Sequence, residues 1–188
     1  MFKSFDQIIE IIIESEGGYS DHPADRGGKT KYGITERVAR ENGYKGNMMT
    51  LLLPVAKEIY KKEYWDKIKG DSIIKNNAKI AYILMDIAVN MGVYRSSKIF
   101  QEALNLCKKK QELHIDDLVV DGKIGTKTIT CLDKILEYDH TQNTEIPKLL
   151  LFFQMKRYNK IVSKNPSQKV FLKGWLNRVE KSRKILKL

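Results

Sequence analysis

The sequence predicts a mainly α-helical protein in which one loop or small β-hairpin interrupts the helices near the N-terminus. Apolar residues recur at the three-and-four spacing of a helix along most of the 188 residues. This spacing disappears across residues 19–34, where Pro23 and a group of glycines favour turns. Four prolines and twelve glycines are too few for a low-complexity chain. The length fits one compact domain, or a domain with a small module.

Four helices are predicted in the first half of the sequence. Ser4 and Gln7 have the spacing of a capping box, and the isoleucines of residues 8–13 cover most faces of a short buried helix. Gly17 and Gly18 favour its end. The other three helices are expected from the N-cap Thr35 to Gly43, from Pro54 to Lys67, and from Asn76 or Asn77 to Gly92.

Four more helices are predicted in the second half. Residues 121–125 favour a turn, after which Thr126 is a good N-cap, and Asn165–Pro166 favours a break. The helices are expected over residues 94–112, 126–138, 144–163 and 167–187. The sequence indicates a mild domain boundary just after Gly92. We therefore expect a region 1–92 and a region 93–188 that pack together as one helical body.

The charge of the chain indicates an anionic partner. There are 34 Lys and Arg against 23 Asp and Glu, a formal net charge of +11. Such a basic surface attracts nucleic acid, anionic lipid or an acidic cell-wall polymer. Only seven of the cations are arginine, the residue that nucleic-acid readers favour for bidentate contacts. We therefore expect no nucleic-acid partner.

The remaining composition argues against a disulfide framework, a metal site and a membrane span. Cys107 and Cys131 are far apart and are expected to be buried thiols. The three histidines are isolated, so no metal is expected, and nothing indicates another cofactor. No apolar run approaches a membrane span, and no secretory signal is visible. We expect a monomer made in the cytoplasm that acts in the periplasm or cell wall after release by a separate route.

Glu16 is the strongest candidate for a catalytic residue. It lies in the last turn of an apolar helix, where the helix dipole disfavours a negative charge, and partial burial disfavours it further. Both effects favour the protonated carboxyl group that a general acid requires. The alternative is that Glu16 is a solvated helix end.

Asp25 and Thr30 are candidates for a second catalytic group. A hairpin of this length can fold back so that both face the end of the first helix. Two carboxyl groups flanking one bond is the usual arrangement in glycosidases. Asp25 would activate a water molecule that Thr30 holds, although Asp21 is a rival for the base. Structural alternatives are a turn at Asp21 and pairing of Asp25 with a neighbouring cation.

The segment closely resembles the opening motif of glycoside hydrolase family 108, the bacterial and phage N-acetylmuramidases. The resemblance rests on EGGY at residues 16–19 and DRGGKTKYGI at residues 25–34. It continues through Tyr60, residues 64–65 and DIAVNMG at residues 86–92. VDGKIGT at residues 120–126 and GWLNR at residues 174–178 resemble the peptidoglycan-binding region that follows in this family, so nearly the whole chain is covered.

The resemblance implies a lysozyme-like helical body with its active site on a small hairpin, and Glu16 as the catalytic acid. The order of Glu16, Asp25 and Thr30 is also similar to that in phage-type lysozymes. The interval from Asp25 to Thr30 is one residue shorter here than in those enzymes. The residues expected to contact the sugar chain are Tyr19, Lys31, Tyr32, Trp65 and Asn90. Trp65 has the alternative of a core position, and Asn90, which shares a helix face with Asp86, has the alternative of structural support.

Several functions stay open at this point. The first is hydrolysis of the β-1,4 bond between N-acetylmuramic acid and N-acetylglucosamine in peptidoglycan. The second is a lytic transglycosylase, which needs one acid and no positioned water. The third is a wall-binding module without activity, against which the presence of Glu16 argues.

Overall fold

The computed structural model describes residues 2–16, 18–20, 28–138 and 145–188, and it confirms a mainly α-helical fold. Helix α1 spans Phe5–Glu16. A two-stranded antiparallel hairpin follows, with β1 at Thr30–Lys31 and β2 at Ile34–Thr35. Helices α2 to α9 span Glu36–Glu41, Leu53–Tyr60, Gly70–Asn76, Ala78–Met91, Val93–Lys110, Thr126–Tyr138, Ile146–Lys164 and Lys169–Leu186.

The caps expected at the starts of α2 and α5 are confirmed, whereas α7 begins at Thr126 itself, which was expected as its N-cap. The Thr35 hydroxyl accepts a hydrogen bond from the backbone N–H of Val38 at the start of α2. The Oδ1 atom of Asn77 accepts hydrogen bonds from two backbone N–H groups in the first turn of α5, those of Lys79 and Ile80. These oxygens satisfy donors that have no partner within the helix. The expected helix start at Thr144 lies outside the described residues, and α8 begins at Ile146.

The segment between α2 and α5 differs from the prediction. A single helix was expected over residues 54–67. In the structure the α-helical part, α3, ends at Tyr60, and a π-helical turn, Lys61–Trp65, follows it directly. The backbone N–H of Asp66 donates to the carbonyl of Lys61 at 2.9 Å, one residue further back than in an α-helix. Helix α4 was not predicted, because its first residues, Gly70 and Asp71, are typical of a turn.

The core is built around α5. All of residues 80–88 are buried, and α5 packs against α4, α6 and α8. A helix that is apolar on every side belongs at the centre of a fold. One cluster of buried residues extends from Ile8 in α1 to Leu186 in α9. It therefore includes residues of both regions that the sequence suggests.

The two cysteines agree with the expectation of buried thiols. Cys107 and Cys131 are both buried, and no disulfide joins them. None of the described helices is long and apolar enough to cross a membrane. Among the described residues, no group of three or more His, Cys, Asp or Glu side chains has the geometry to hold a metal ion.

Candidate active site

Glu16 is the last residue of α1 and lies where this helix meets the hairpin turn and helix α9. Ile9, Ile12 and Ile13 on the same helix are buried, which fixes the helix against the core. The Glu16 side chain keeps 23% of its surface exposed. It is therefore anchored by a rigid element while remaining open to a ligand from one side.

The turn of the hairpin lies directly against Glu16. Tyr32 and Gly33 form a two-residue turn with φ values of 53° and 75°, the pattern of a type I′ hairpin. A Cβ atom on Gly33 would lie 3.0 Å from Cβ and 3.1 Å from Cγ of Glu16, and it would overlap the Tyr60 hydroxyl. Only glycine allows this approach. The Tyr60 hydroxyl donates to the Tyr32 carbonyl at 2.9 Å and holds the turn in place.

The carboxylate of Glu16 forms an ion pair with an arginine from the opposite end of the chain. Arg178 in α9 donates from Nη1 to Oε1 of Glu16 at 2.8 Å. The same guanidinium donates from Nε to both oxygens of Asp86, at 2.9 and 3.2 Å, and its Nη2 lies 2.9 Å from Oδ1. Arg178 therefore bridges a half-buried carboxylate on α1 and a buried carboxylate on α5.

The electrostatics of this cluster follow from burial. Burial raises the pKa of Asp86, and the adjacent Arg178 partly offsets this. For Arg178, burial alone would disfavour the charge, but Asp86 and then Glu16 raise its pKa overall. Burial, followed by the charge of Glu16, also raises the pKa of Tyr60, so this phenol stays neutral. The ion pair uses the ionised form of Glu16, whereas a general acid must carry a proton.

A second wall of the site comes from α5, α8 and α9. The Tyr158 hydroxyl donates to Oδ1 of Asn90 at 2.7 Å and accepts from Gln154 at 3.2 Å. The ring of Tyr158 stacks on Trp175 with centroids 4.9 Å apart. A pocket of about 370 Å³ opens beside Arg178, with a lining that includes Ser15, Asp86, Asn90, Trp175, Asn177 and Lys181.

Thr30 and Lys31, the predicted site residues on strand β1, are held by different contacts. Thr30 pairs with Ser20 through two backbone hydrogen bonds of 2.8 and 2.9 Å, and its hydroxyl donates to the Gly28 carbonyl at 3.2 Å. The ammonium group of Lys31 donates to the Met49 carbonyl at 2.6 Å and lies over the Tyr32 ring. Lys31 therefore ties the hairpin to residues 48–50.

The other predicted site residues complete this comparison. Tyr19 and Tyr32 are both half-buried and pack against the core. Asn90 is exposed and lines the pocket beside Arg178. Asp25 and its rival Asp21 lie outside the described residues, so the second catalytic group stays a prediction.

The expectation that Trp65 lines a sugar groove does not agree with the structure. Trp65 is completely buried, and its indole N–H donates to Asp71 at 2.8 Å. The π-helical turn is the physical reason, because its additional residue rotates the end of this segment and directs the indole into the core. The partly exposed aromatic ring beside the pocket is that of Trp175.

Sequence reasoning missed Arg178 as part of the site and assigned its motif only to the binding region. One signal pointed to it. Asp86 lies among the apolar residues in the middle of a buried helix, and a buried carboxylate requires a cationic partner. The sequence did not show which of the many cations supplies that charge.

Comparison with known proteins identifies the class to which this fold and site belong. Residues 9–92 match the family Glycosyl hydrolase 108, and residues 95–180 match the Predicted Peptidoglycan domain. A search of curated proteins finds no match. Residues 9–92 belong to glycoside hydrolase family 108, and together with the peptidoglycan domain that follows them they are those of a peptidoglycan hydrolase.

A solved structure supports the same assignment. The structure of Brucella abortus SagA superimposes with a TM-score of 0.69 at 27% sequence identity. The match covers 96% of this chain and 91% of that chain. The likeness therefore extends over both regions and includes the elements that carry Glu16 and Arg178.

Proposed function

We propose that the protein is an N-acetylmuramidase, which hydrolyses the β-1,4 bond between N-acetylmuramic acid and N-acetylglucosamine in the cell wall. Glu16 is the general acid that protonates the leaving sugar oxygen. The observation that carries this role is the position of Glu16, which is fixed by α1, covered on one side by the hairpin turn and partly open on another. An acid that is held rigidly and stays partly open to solvent is what protonation of a bound sugar oxygen requires.

Asp25 is the proposed base that activates water. Asp86 is unsuited to this role, because it is 5% exposed and both of its oxygens accept from Arg178. A base must reach water, and Asp86 does not. The proposal for Asp25 rests on its place in the EGGY and DRGGKTKYGI motif, with Thr30 holding the water molecule.

Lytic transglycosylation is the second candidate, and one observation favours it. Within residues 2–16, 18–20, 28–138 and 145–188, the carboxylate linked to Glu16 is Asp86, which is buried and engaged. A transglycosylase needs a single acid and no water-activating base. Its product carries an anhydro-sugar end, whereas hydrolysis leaves a reducing end.

The region 95–180 is proposed to hold the wall polymer while the first region cuts it. A pocket of about 840 Å³ lies between α6, α7 and the segment joining them, and its lining carries as many aspartates as lysines. The region as a whole has 16 Lys and Arg against 10 Asp and Glu. This excess of cations attracts an anionic polymer, and salt screens the attraction over about 8 Å at physiological ionic strength. Sedimentation with insoluble peptidoglycan should therefore show binding that weakens as salt rises.

The test of the catalytic proposal is the rate at which purified peptidoglycan is solubilised by the wild type and by Glu16→Gln. Glutamine accepts the hydrogen bond from Arg178 but carries no acidic proton, so we expect a loss of about 10²–10⁴-fold. Glu14→Gln is the matched control, because Glu14 is exposed on the same helix, and it should keep wild-type activity. A folded Glu16→Gln protein with near-normal activity would remove Glu16 from the mechanism.

A further inference from the structure

Arg178 connects the two family regions at the active site. Glu16 and Asp86 belong to the region matched by residues 9–92, whereas Arg178 belongs to the region matched by residues 95–180. The contacts of 2.8 Å to Glu16 and 2.9 Å to Asp86 join them. Next to this contact, Lys181 of α9 donates to the Ser15 hydroxyl. The last helix of the second region therefore closes over the end of α1.

We propose that Arg178 is a positioning residue that holds the carboxyl group of Glu16 in the active site, and that Asp86 limits how strongly the arginine charge acts on Glu16. The region similar to a peptidoglycan-binding domain would then complete the active site as well as bind polymer. This inference rests on the proposed role of Glu16 as the acid.

The charges of the cluster support this division of roles. With both carboxylates ionised, one guanidinium faces two negative charges, so the cluster carries a net charge of −1 and becomes neutral when Glu16 takes up a proton. Asp86 is the fixed partner, since it is buried and contacts Arg178 through both oxygens. Arg178 therefore keeps a counter-ion when Glu16 is protonated, and a buried cation needs one.

The contacts and exposed fractions also distinguish Arg178, which holds Glu16, from Glu16, which is proposed to react. Of the two carboxylate oxygens of Glu16, the one that accepts the hydrogen bond from Arg178 is Oε1. The side chain of Arg178 is 18% exposed, that of Asp86 is 7% exposed, and that of Glu16 is 23% exposed. The carboxyl group that must meet substrate is thus the most accessible of the three. A fixed contact at one carboxylate oxygen reduces the conformational freedom that Glu16 would otherwise lose in the reaction.

Other titratable groups face Glu16 from the elements packed around it. Tyr60, at the end of α3, and Tyr64, in the π-helical turn, both have a raised pKa because of burial, and Glu16 raises both further. Both phenols are therefore neutral across the working range. Lys181 contacts the neighbouring Ser15. Among the described residues, Arg178 is the charged group in direct contact with Glu16, Asp86 contacts that same guanidinium, and Lys181 is bound to the neighbouring Ser15.

The proposal predicts that two variants move the alkaline limb of the activity profile in opposite directions. Arg178→Met removes a positive charge, so Glu16 keeps its proton to higher pH and the limb moves up. Asp86→Asn removes a negative charge and leaves Arg178 to act on Glu16 alone, so the limb moves down. We expect about one pH unit in each direction, the lower end of the effect of a charge at contact distance. Arg178→Met should also lower the maximal rate by about 10²-fold, the typical cost of a misplaced catalytic group.

The controls separate this role from a structural one. Arg183→Met removes a charge from the same helix at an exposed site paired with Glu180, and its pH limb should match the wild type. Arg178→Lys keeps the charge but cannot bridge two carboxylates. It should keep the limb within about half a pH unit of the wild type while losing activity. If Arg178→Met does not fold, Asp86→Asn and Arg178→Lys still decide the question.

The decisive comparison is the position of the limb in folded variants, measured together with the titration of the Glu16 carboxyl carbon by NMR. Opposite displacements in Arg178→Met and Asp86→Asn support the proposal. Uniform losses of activity with the limb unmoved, or displacements in the same direction, overturn it. A wild type without activity on peptidoglycan would instead refute the proposed function, and the NMR titration would still test the role of Arg178.

Discussion

Gly33→Ala is a direct test of how the hairpin is held against Glu16. The residue has a φ of 75°, and a Cβ atom there would overlap the Tyr60 hydroxyl and lie 3.0 Å from Cβ of Glu16. None of these neighbours can move away freely. Tyr60 is buried and donates to the Tyr32 carbonyl at 2.9 Å, and Glu16 lies on a helix anchored in the core.

The expected cost has two parts. An L-residue in the left-handed region costs about 1–2 kcal/mol. Inserting a methyl group into a packed contact costs about 1–3 kcal/mol. The free energy of unfolding should therefore fall by about 2–5 kcal/mol, and the turn should move away from Glu16 in the folded fraction. Activity per folded molecule should fall by about tenfold or more, because catalysis depends steeply on position.

Gly43→Ala is the matched control for this substitution. Gly43 has a φ of 84°, but nothing lies within 4 Å of a Cβ atom built there. It should lose only the backbone part, about 1–2 kcal/mol, and keep full activity. Urea unfolding gives the stability, and solubilisation of peptidoglycan gives the activity. Equal losses of stability in the two variants, with both fully active, would refute the close approach of the hairpin to Glu16.

Two further predictions concern residues behind the site. Burial raises the pKa of the Tyr158 phenol to about 12. The contribution of the neutral phenol to the free energy of unfolding is therefore fully present below the pKa of about 10 in the unfolded chain. It is lost as pH rises through 12, by up to about 2–3 kcal/mol. Urea unfolding of Tyr158→Phe should show a weaker loss over this range, and an unchanged pH dependence would contradict the assignment. Trp65→Phe removes the hydrogen bond that is the first cause of the lowered pKa of Asp71, so it should reduce the loss of stability on acidification and lower stability by about 1–3 kcal/mol. It should leave the catalytic rate intact, since Trp65 is completely buried, and a large loss of activity at unchanged stability would restore Trp65 to the sugar site.

The hairpin and the place of Glu16 at the end of a buried helix could be predicted because their signals are local. The loss of helical period and the glycines at residues 27, 28 and 33 mark the turn, and the apolar run of residues 8–13 ends just before Glu16. Helix capping at Thr35 and Asn77 was equally visible, since a cap depends on residues within one turn.

The rest depends on contacts between distant residues. Arg178 reaches Glu16 across 162 positions of sequence, and only the packing of α9 on α1 and α5 decides which cation pairs with Asp86. The burial of Trp65 depends on the π-helical turn, which no local pattern of residues 61–65 indicates. Helix α4 begins with residues typical of a turn and is stabilised by packing against α5, so its propensity alone was misleading.

The most direct test of the account is the chemical identity of the ends that the enzyme creates. Purified peptidoglycan is digested with the wild type and with Glu16→Gln, reduced with borohydride and analysed by mass spectrometry. The account predicts reduced muramic acid ends from the wild type, and at most a trace from Glu16→Gln at equal protein and time. Reduced glucosamine ends or anhydro-muramic ends from the wild type, or equal yields from the two proteins, would contradict it.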